Sequence, residues 1–287
     1  MKIVTDSGAD LTSDDIQNLG IIVAPLEIHF PEGVVYSEDI SRDDFYARLR
    51  AMWPRIPSTS QPSAGLFTTL YQRLANFKEE ILSVHISSGL SGTLNAARLG
   101  AETIQGVDIT HVDTMTLSGA ERFQVIAAAL MAKGGSSKEA ILERLKQIRE
   151  NTELIYTLET LDYLAKGGRI GRVQALASAL LNIKPVIHVD KADGKYSTVG
   201  KERTIPKALA AIVDHLAKIY GNTTGMYVSI MHGQAQNLAD QLAIMMQARL
   251  KVSKIEILRI SPVLGVHTGP GIIGAAAVPF NLMKDLV

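Results

Sequence analysis

The chain of 287 residues contains no cysteine. That single absence removes disulfides, thiolate zinc sites, iron–sulfur clusters and a cysteine nucleophile from consideration. It has no net charge either, with 29 Lys+Arg against 29 Asp+Glu. A balanced chain lacks the broad basic field that nucleic acid or an anionic membrane surface requires, so neither is expected as a partner. No apolar run approaches the roughly 18 residues of a membrane span, so stable membrane insertion is not expected. The opening Met1-Lys-Ile-Val-Thr-Asp-Ser-Gly-Ala-Asp10 carries two acids and no apolar signal core, and a cytoplasmic location is the expectation. Internal repeats and low-complexity tracts are absent.

What is present is an α/β rhythm. Dividing the length by roughly 150 residues gives two domains, and a change of pattern near residue 150 sets them at 1–150 and 151–287. In the first, Lys2–Thr5, Ile22–Phe30, Ile81–Ile86 and Val107–Val112 read as strands separated by helices. Thr12 or Ser13, Ser41, Ser63 and Ser137 stand where helix caps belong. This is the pattern of a parallel, Rossmann-like βαβ domain. In the second, Lys184–Val189 and Lys195–Val199 flank Asp193-Gly194, a hairpin signal. A helix opened by Thr204 and Pro206, strands at Met226–Met231 and Ile255–Ile260, and a glycine-rich loop over Gly265–Gly271 follow. The expected C-terminal domain is therefore α/β with a mixed sheet.

Four segments carry candidate chemistry. Ser87-Ser-Gly-Leu-Ser-Gly-Thr93 joins a strand to a helix with four hydroxyls and two glycines. A cap needs one hydroxyl, so the excess favours a cradle for a carboxylate or phosphate. The same loop resembles a nucleophile elbow, but Thr93 stands where glycine is required. The order Ser91, Asp113, His267 matches that of α/β-hydrolases and sustains a serine esterase as the alternative. A nucleotide-binding enzyme is a third reading, without a Walker Gly-Lys-Ser/Thr to support it. Pro57-Ser-Thr-Ser-Gln-Pro-Ser63 is either a stiffened, hydroxyl-bearing binding loop or a plain connection.

Gly265-Val-His-Thr-Gly-Pro-Gly271 holds one histidine between glycines that permit close approach to a ligand. The other six histidines are scattered, with no His-x-x-x-His pair, so no metal site is expected. Lys166-Gly-Gly-Arg-Ile-Gly-Arg172 is either a helix end or an exposed guanidinium on a kink. Val173–Ile187 reads as core more readily than as the lining of a lipid cavity.

Taken together these segments resemble the bacterial DegV family, fatty-acid-binding subunits that work with a separate fatty acid kinase. The resemblance rests on Asp6-Ser7 with Asp10-Leu11, Thr59-Ser-Gln-Pro-Ser63, Ser87 to Thr93, Val112-Asp-Thr114, Leu161 to Ile170, Asn182-Ile-Lys-Pro185, Arg203, and Gly265 to Gly271. It implies two α/β domains with a long-chain fatty acid near their junction. Thr59, Ser91 and His267 would surround the carboxyl group, with the Gly92 N–H beside it. Arg169, with Arg203, would face a dihydroxyacetone-kinase-like kinase subunit. That partner would supply ATP and magnesium and make an acyl phosphate for phospholipid synthesis. The chain itself would be a binding protein with no catalytic residue, metal or cofactor of its own. One segment departs from the family: Met115-Thr-Leu-Ser-Gly-Ala-Glu121 replaces a more glycine-rich loop.

Overall fold

A computed structural model describes residues 1–177 and 183–286. The N-terminal strands are β1 (Lys2–Asp6), β2 (Ile22–Ala24), β3 (Glu27–Phe30), β4 (Gly33–Tyr36), β5 (Ser58–Ser60), β6 (Ile81–His85) and β7 (Ile109–Asp113). The C-terminal ones are β8 (Glu153–Thr157), β9 (Lys184–Asp190), β10 (Lys195–Glu202), β11 (Met226–His232), β12 (Val252–Arg259) and β13 (Ile273–Pro279). β2, β1, β6 and β7 form a wholly parallel sheet in that order. The six-stranded sheet runs β10-β9-β8-β13-β11-β12 and is mixed: β11 and β12 are parallel, and the remaining pairs are antiparallel. The expected fold class is present in both halves.

Helix starts follow the caps. The side chains of Thr12, Ser41, Ser63, Ser137 and Thr204 each accept from a backbone N–H of the first turn. Such caps stabilise a helix by about 1 kcal/mol each.

Three expectations need correction. Ile22–Phe30 is not one strand, because Pro25 lacks the N–H that would continue the ladder beyond Ala24. The chain leaves the parallel sheet there and builds a small antiparallel one, β4-β3-β5. Two of its strands, Gly33–Tyr36 and Ser58–Ser60, are absent from the sequence reading. Third, the first part of the Gly265–Gly271 segment is helical: Pro262–Thr268 is a helix with proline in its first turn, a position where a missing N–H costs nothing.

The helix Ser118–Lys133 joins the two halves. Twelve of its sixteen residues are buried, too many for a helix covering one sheet. It packs on β1 and β6 of the parallel sheet and on β8, β11 and β13 of the mixed one. One hydrophobic cluster accordingly runs from Ile3 and Leu82 to Tyr227 and Ile272. Inside it lies Glu121, fully buried. Burial, then the nearby charges of Asp6, Asp10 and Asp113, push its carboxyl well above the ordinary range.

Glu121 is therefore protonated in the fold and ionised in the unfolded chain, and its contribution to stability falls as pH rises above about 4.5. Glu121→Gln removes that dependence. The stability of the variant relative to wild type, measured by denaturant unfolding from pH 5 to 8, is expected to improve steadily with pH. An equal difference at every pH would contradict a neutral Glu121.

Candidate functional site

The site grows from the C-terminal ends of β1 and β6, the edge at which open parallel sheets place their ligands. The Asp6 carboxylate accepts from Gly8 N (2.8 Å), Ile86 N (3.0 Å) and His85 Nδ1 (2.9 Å). Through His85 a fully buried chain continues to Ser83 Oγ (2.6 Å) and the Tyr71 hydroxyl (2.7 Å). An Asp-His-Ser order sealed inside a sheet fixes strand ends rather than meeting substrate. Ser7 Oγ accepts from Leu26 N, and Asp10 accepts from Ser118 Oγ and from Ser261 N (2.6 Å). Asp10 thereby ties the first loop to the N-terminus of the helix Pro262–Thr268.

That helix carries the centre of the site. His267 Nε2 lies 2.7 Å from Thr59 Oγ1 on β5, across 208 positions of sequence. The imidazole is buried and its pKa is lowered to about 3, first by burial and then by the neighbouring Arg169 charge. It is neutral at physiological pH. Nδ1 is buried without a hydrogen-bond partner and faces Gly167, where a Cβ would stand 2.2 Å away. An N–H at Nδ1 would be orphaned against that backbone, so the tautomer with the proton on Nε2 is favoured. His267 then donates to Thr59, and the half-exposed Thr59 hydroxyl keeps its own proton for an acceptor outside.

The loop Ser87–Thr93 stands beside Thr59: a Cβ on Gly92 would lie 3.1 Å from Gln61 Nε2. Its hydroxyls are mostly committed. Ser87 Oγ donates to Gly194 O (2.8 Å), Ser88 Oγ to Asp113 (2.5 Å), and Ser91 Oγ pairs with Thr93 Oγ1 (2.8 Å). Gly92, at the N-cap of the helix Thr93–Ala101, has no side chain to cap it, and Ser91 Oγ accepts from Thr93 N (3.3 Å), which leaves the Gly92 N–H for an acceptor. Asp113 serves Ser88 and Met115 N, and His267 serves Thr59. The Ser91–Asp113–His267 triad is therefore not assembled, and the esterase reading loses its geometric basis.

Arg169 is half-buried rather than fully exposed, with Nη1 donating to Gly167 O (2.8 Å). It lines a cleft with Gly89, Leu90, Arg172, Lys195 and Tyr196. Gly194, with φ of +66°, abuts Ser87 so closely that a Cβ would meet Ser87 Oγ at 1.9 Å. Only glycine permits the hairpin to close this cleft. Arg203 is exposed just beyond the end of β10. The strand carries it about 20 Å or more from Lys195, so the structure does not bring it together with Arg169.

Behind the cleft lies a narrow, partly open cavity with almost wholly apolar walls and a volume of about 30 Å3. Leu117, Leu154, Tyr156, Met231, Ile260 and Ile272 line it, with Leu264 and Thr268 from the His267 helix. Tyr196 walls both cleft and cavity; nothing in the sequence marks it. Of the segment Val173–Ile187, which reads as core rather than as cavity lining, Val173, Val186 and Ile187 are buried in the hydrophobic core; residues 178–182 lie outside the described residues. The departing segment after Asp113 is structural: Thr114 Oγ1 donates to His85 O (2.8 Å), and Ser118 holds Asp10.

A family model for uncharacterised proteins of the DegV family matches residues 1–279. The chain belongs to the DegV family. A DegV domain-containing protein of Deinococcus radiodurans is 37% identical over 277 residues, 96% of this chain and 95% of that one. A DegV-family protein of Thermus thermophilus, described by its fatty acid binding, superposes with a TM-score of 0.90 at 30% identity, covering 97% of this chain and 99% of the other. DegV of Bacillus subtilis, described as a fatty acid binding protein, superposes at 0.87 with 26% identity, covering 96% and 98%. Among the described residues no helix is long and apolar enough to cross a membrane.

Gly167 is both the C-cap of the helix Asp162–Lys166 and the surface against which His267 rests. Gly167→Ala should displace the imidazole and destabilise the protein by about 1–3 kcal/mol, a loss of several degrees in thermal melting. An unchanged melting temperature would show that this contact does not hold the ring.

Proposed function

We propose that this DegV-family protein binds one long-chain fatty acid and presents its carboxyl group to a partner kinase. The observation that carries the reading is the junction on one helix: Leu264 and Thr268 turn to the apolar cavity while His267, on the same face, holds Thr59. The tail supplies affinity. Each buried CH₂ contributes about 0.8 kcal/mol, so about sixteen carbons supply on the order of 10 kcal/mol before the costs of ordering and of parting the walls of the narrow cavity to admit the tail. The head supplies orientation through the Thr59 hydroxyl, Ser91 and the Gly92 N–H, with the Arg169 charge favouring a carboxylate. The fatty acid binding described for the Thermus and Bacillus relatives supports the same reading.

In this reading residues 1–150 and 151–287 are two domains that close over the ligand, and the chain contributes no catalytic residue. The partner, a dihydroxyacetone-kinase-like subunit, brings ATP and magnesium. A carboxylate oxygen attacks the γ-phosphorus, ADP leaves, and an acyl phosphate results. A site that excludes water protects that product from hydrolysis. Arg169, which lines the cleft, would meet the incoming phosphates, because a guanidinium pairs readily with them. Arg203, remote from the cleft, would touch the partner at a separate point.

The test compares binding of a free fatty acid with that of its methyl ester. Thr59→Ala, Ser91→Ala and His267→Ala should each weaken the free acid by about ten- to a hundredfold, the worth of a hydrogen bond to a charged group, and leave the ester nearly unchanged. Unaltered selectivity in all three would place the carboxyl elsewhere. In the same series Arg169→Ala should retain tail-driven affinity and lose acyl phosphate formation with the cognate kinase. Parallel loss of melting temperature and lipid affinity would instead make Arg169 a structural group.

A further inference from the structure

The face of the mixed sheet turned away from the cavity carries a second constellation. Side chains alternate along a strand, so Leu154 and Tyr156 of β8 line the cavity while Glu153 and Ile155 point to the helix Ile205–Tyr220. There Glu153 meets His188 of β9 and His215 of that helix. Glu153 Oε1 lies 2.7 Å from His188 Nδ1 and 3.0 Å from His215 Nε2. One ligand atom from each of the three residues falls within 4.8 Å of the others.

We propose that Glu153, His188 and His215 form a binding site for one divalent transition-metal ion of the zinc class. Two imidazoles and a carboxylate are the donor set of open zinc sites, in which a water completes the tetrahedron. Nitrogen donors select zinc and its neighbours over magnesium or calcium. Zinc at about 2.1 Å from each atom holds its ligands about 3.4 Å apart, so the two Glu153–histidine contacts need to lengthen by only about half an ångström. The site is built rather than incidental. The Glu153 side chain is 5% exposed and the two histidines 25% and 19% exposed, which shelters the ion and leaves a path for it. Lys191 Nζ stands 3.6 Å from Glu153 Oε2, the oxygen that does not face the rings. The ion replaces the two hydrogen bonds to Oε1, and each imidazole carries its proton on the nitrogen turned away. Three elements far apart in sequence are then stapled together on the side opposite the lipid, so the site is independent of the carboxyl chemistry.

The test uses the full chain, freed of metal with a chelator. Zn²⁺ titrated against a chromophoric competitor should bind at one per chain with a micromolar or lower dissociation constant and raise the melting temperature. Co²⁺ in its place should give the visible absorption of a four-coordinate ion. His188→Ala, His215→Ala and the milder Glu153→Gln should each weaken Zn²⁺ at least a hundredfold, and His29→Ala should not. The wild type gives a readout that needs no variant: Zn²⁺ should shift the ring signals of two of the seven histidines in NMR spectra. Binding no tighter than millimolar, undiminished binding in the variants, or shifts at other histidines would overturn the proposal and leave a hydrogen-bonded triad only.

Discussion

A single contact, the 2.7 Å bond between Thr59 and His267, organises the ligand end of this protein. It joins a three-residue strand of the N-terminal half to a seven-residue helix of the C-terminal half. Neither element is long enough to hold a position alone. The helix is anchored at its start by Asp10, which accepts from Ser261 N. At its end, Gly167 lets the imidazole close against the chain. Burial keeps the ring neutral, and a neutral ring can serve as a fixed donor without the cost of an unpaired buried charge.

Physical labour is divided around that contact. For the proposed fatty acid, apolar walls would supply affinity without direction, because hydrophobic burial has no preferred geometry. The Thr59 hydroxyl and the Gly92 backbone N–H would supply direction with little affinity. The alternation of β8 then separates this lipid-facing chemistry from the polar triad on the opposite face. The two proposed ligands, different in character, would thus meet one sheet without competing for side chains.

Much of this was legible in the sequence where the signal is local. Thr12, Ser41, Ser63, Ser137 and Thr204 cap helices, and Asp193-Gly194 turns the β9–β10 hairpin. What escaped is either too short or too distant. Strands of three and four residues, as in β4 and β5, show too few alternations to be read. The glycines of Gly265–Gly271 suggested a loop, yet Ser261 and Pro262 had already begun a helix. Thr59, Ser91 and His267 were legible as polar groups in stiff or glycine-rich loops, but the bond between Thr59 and His267 depends on tertiary placement. The same holds for Glu153, His188 and His215, which share no motif and meet only when β8, β9 and a helix stack. Tyr196 and Glu121 belong to no pattern at all; their roles follow from what surrounds them.

The central claim is that the apolar cavity and the Thr59–His267 pair serve one amphipathic ligand. Mass spectrometry of small molecules released by organic solvent from the purified protein tests it most directly. A long-chain fatty acid at about one per chain is the result expected. A protein that yields no lipid, and that takes up no added fatty acid, would contradict the account.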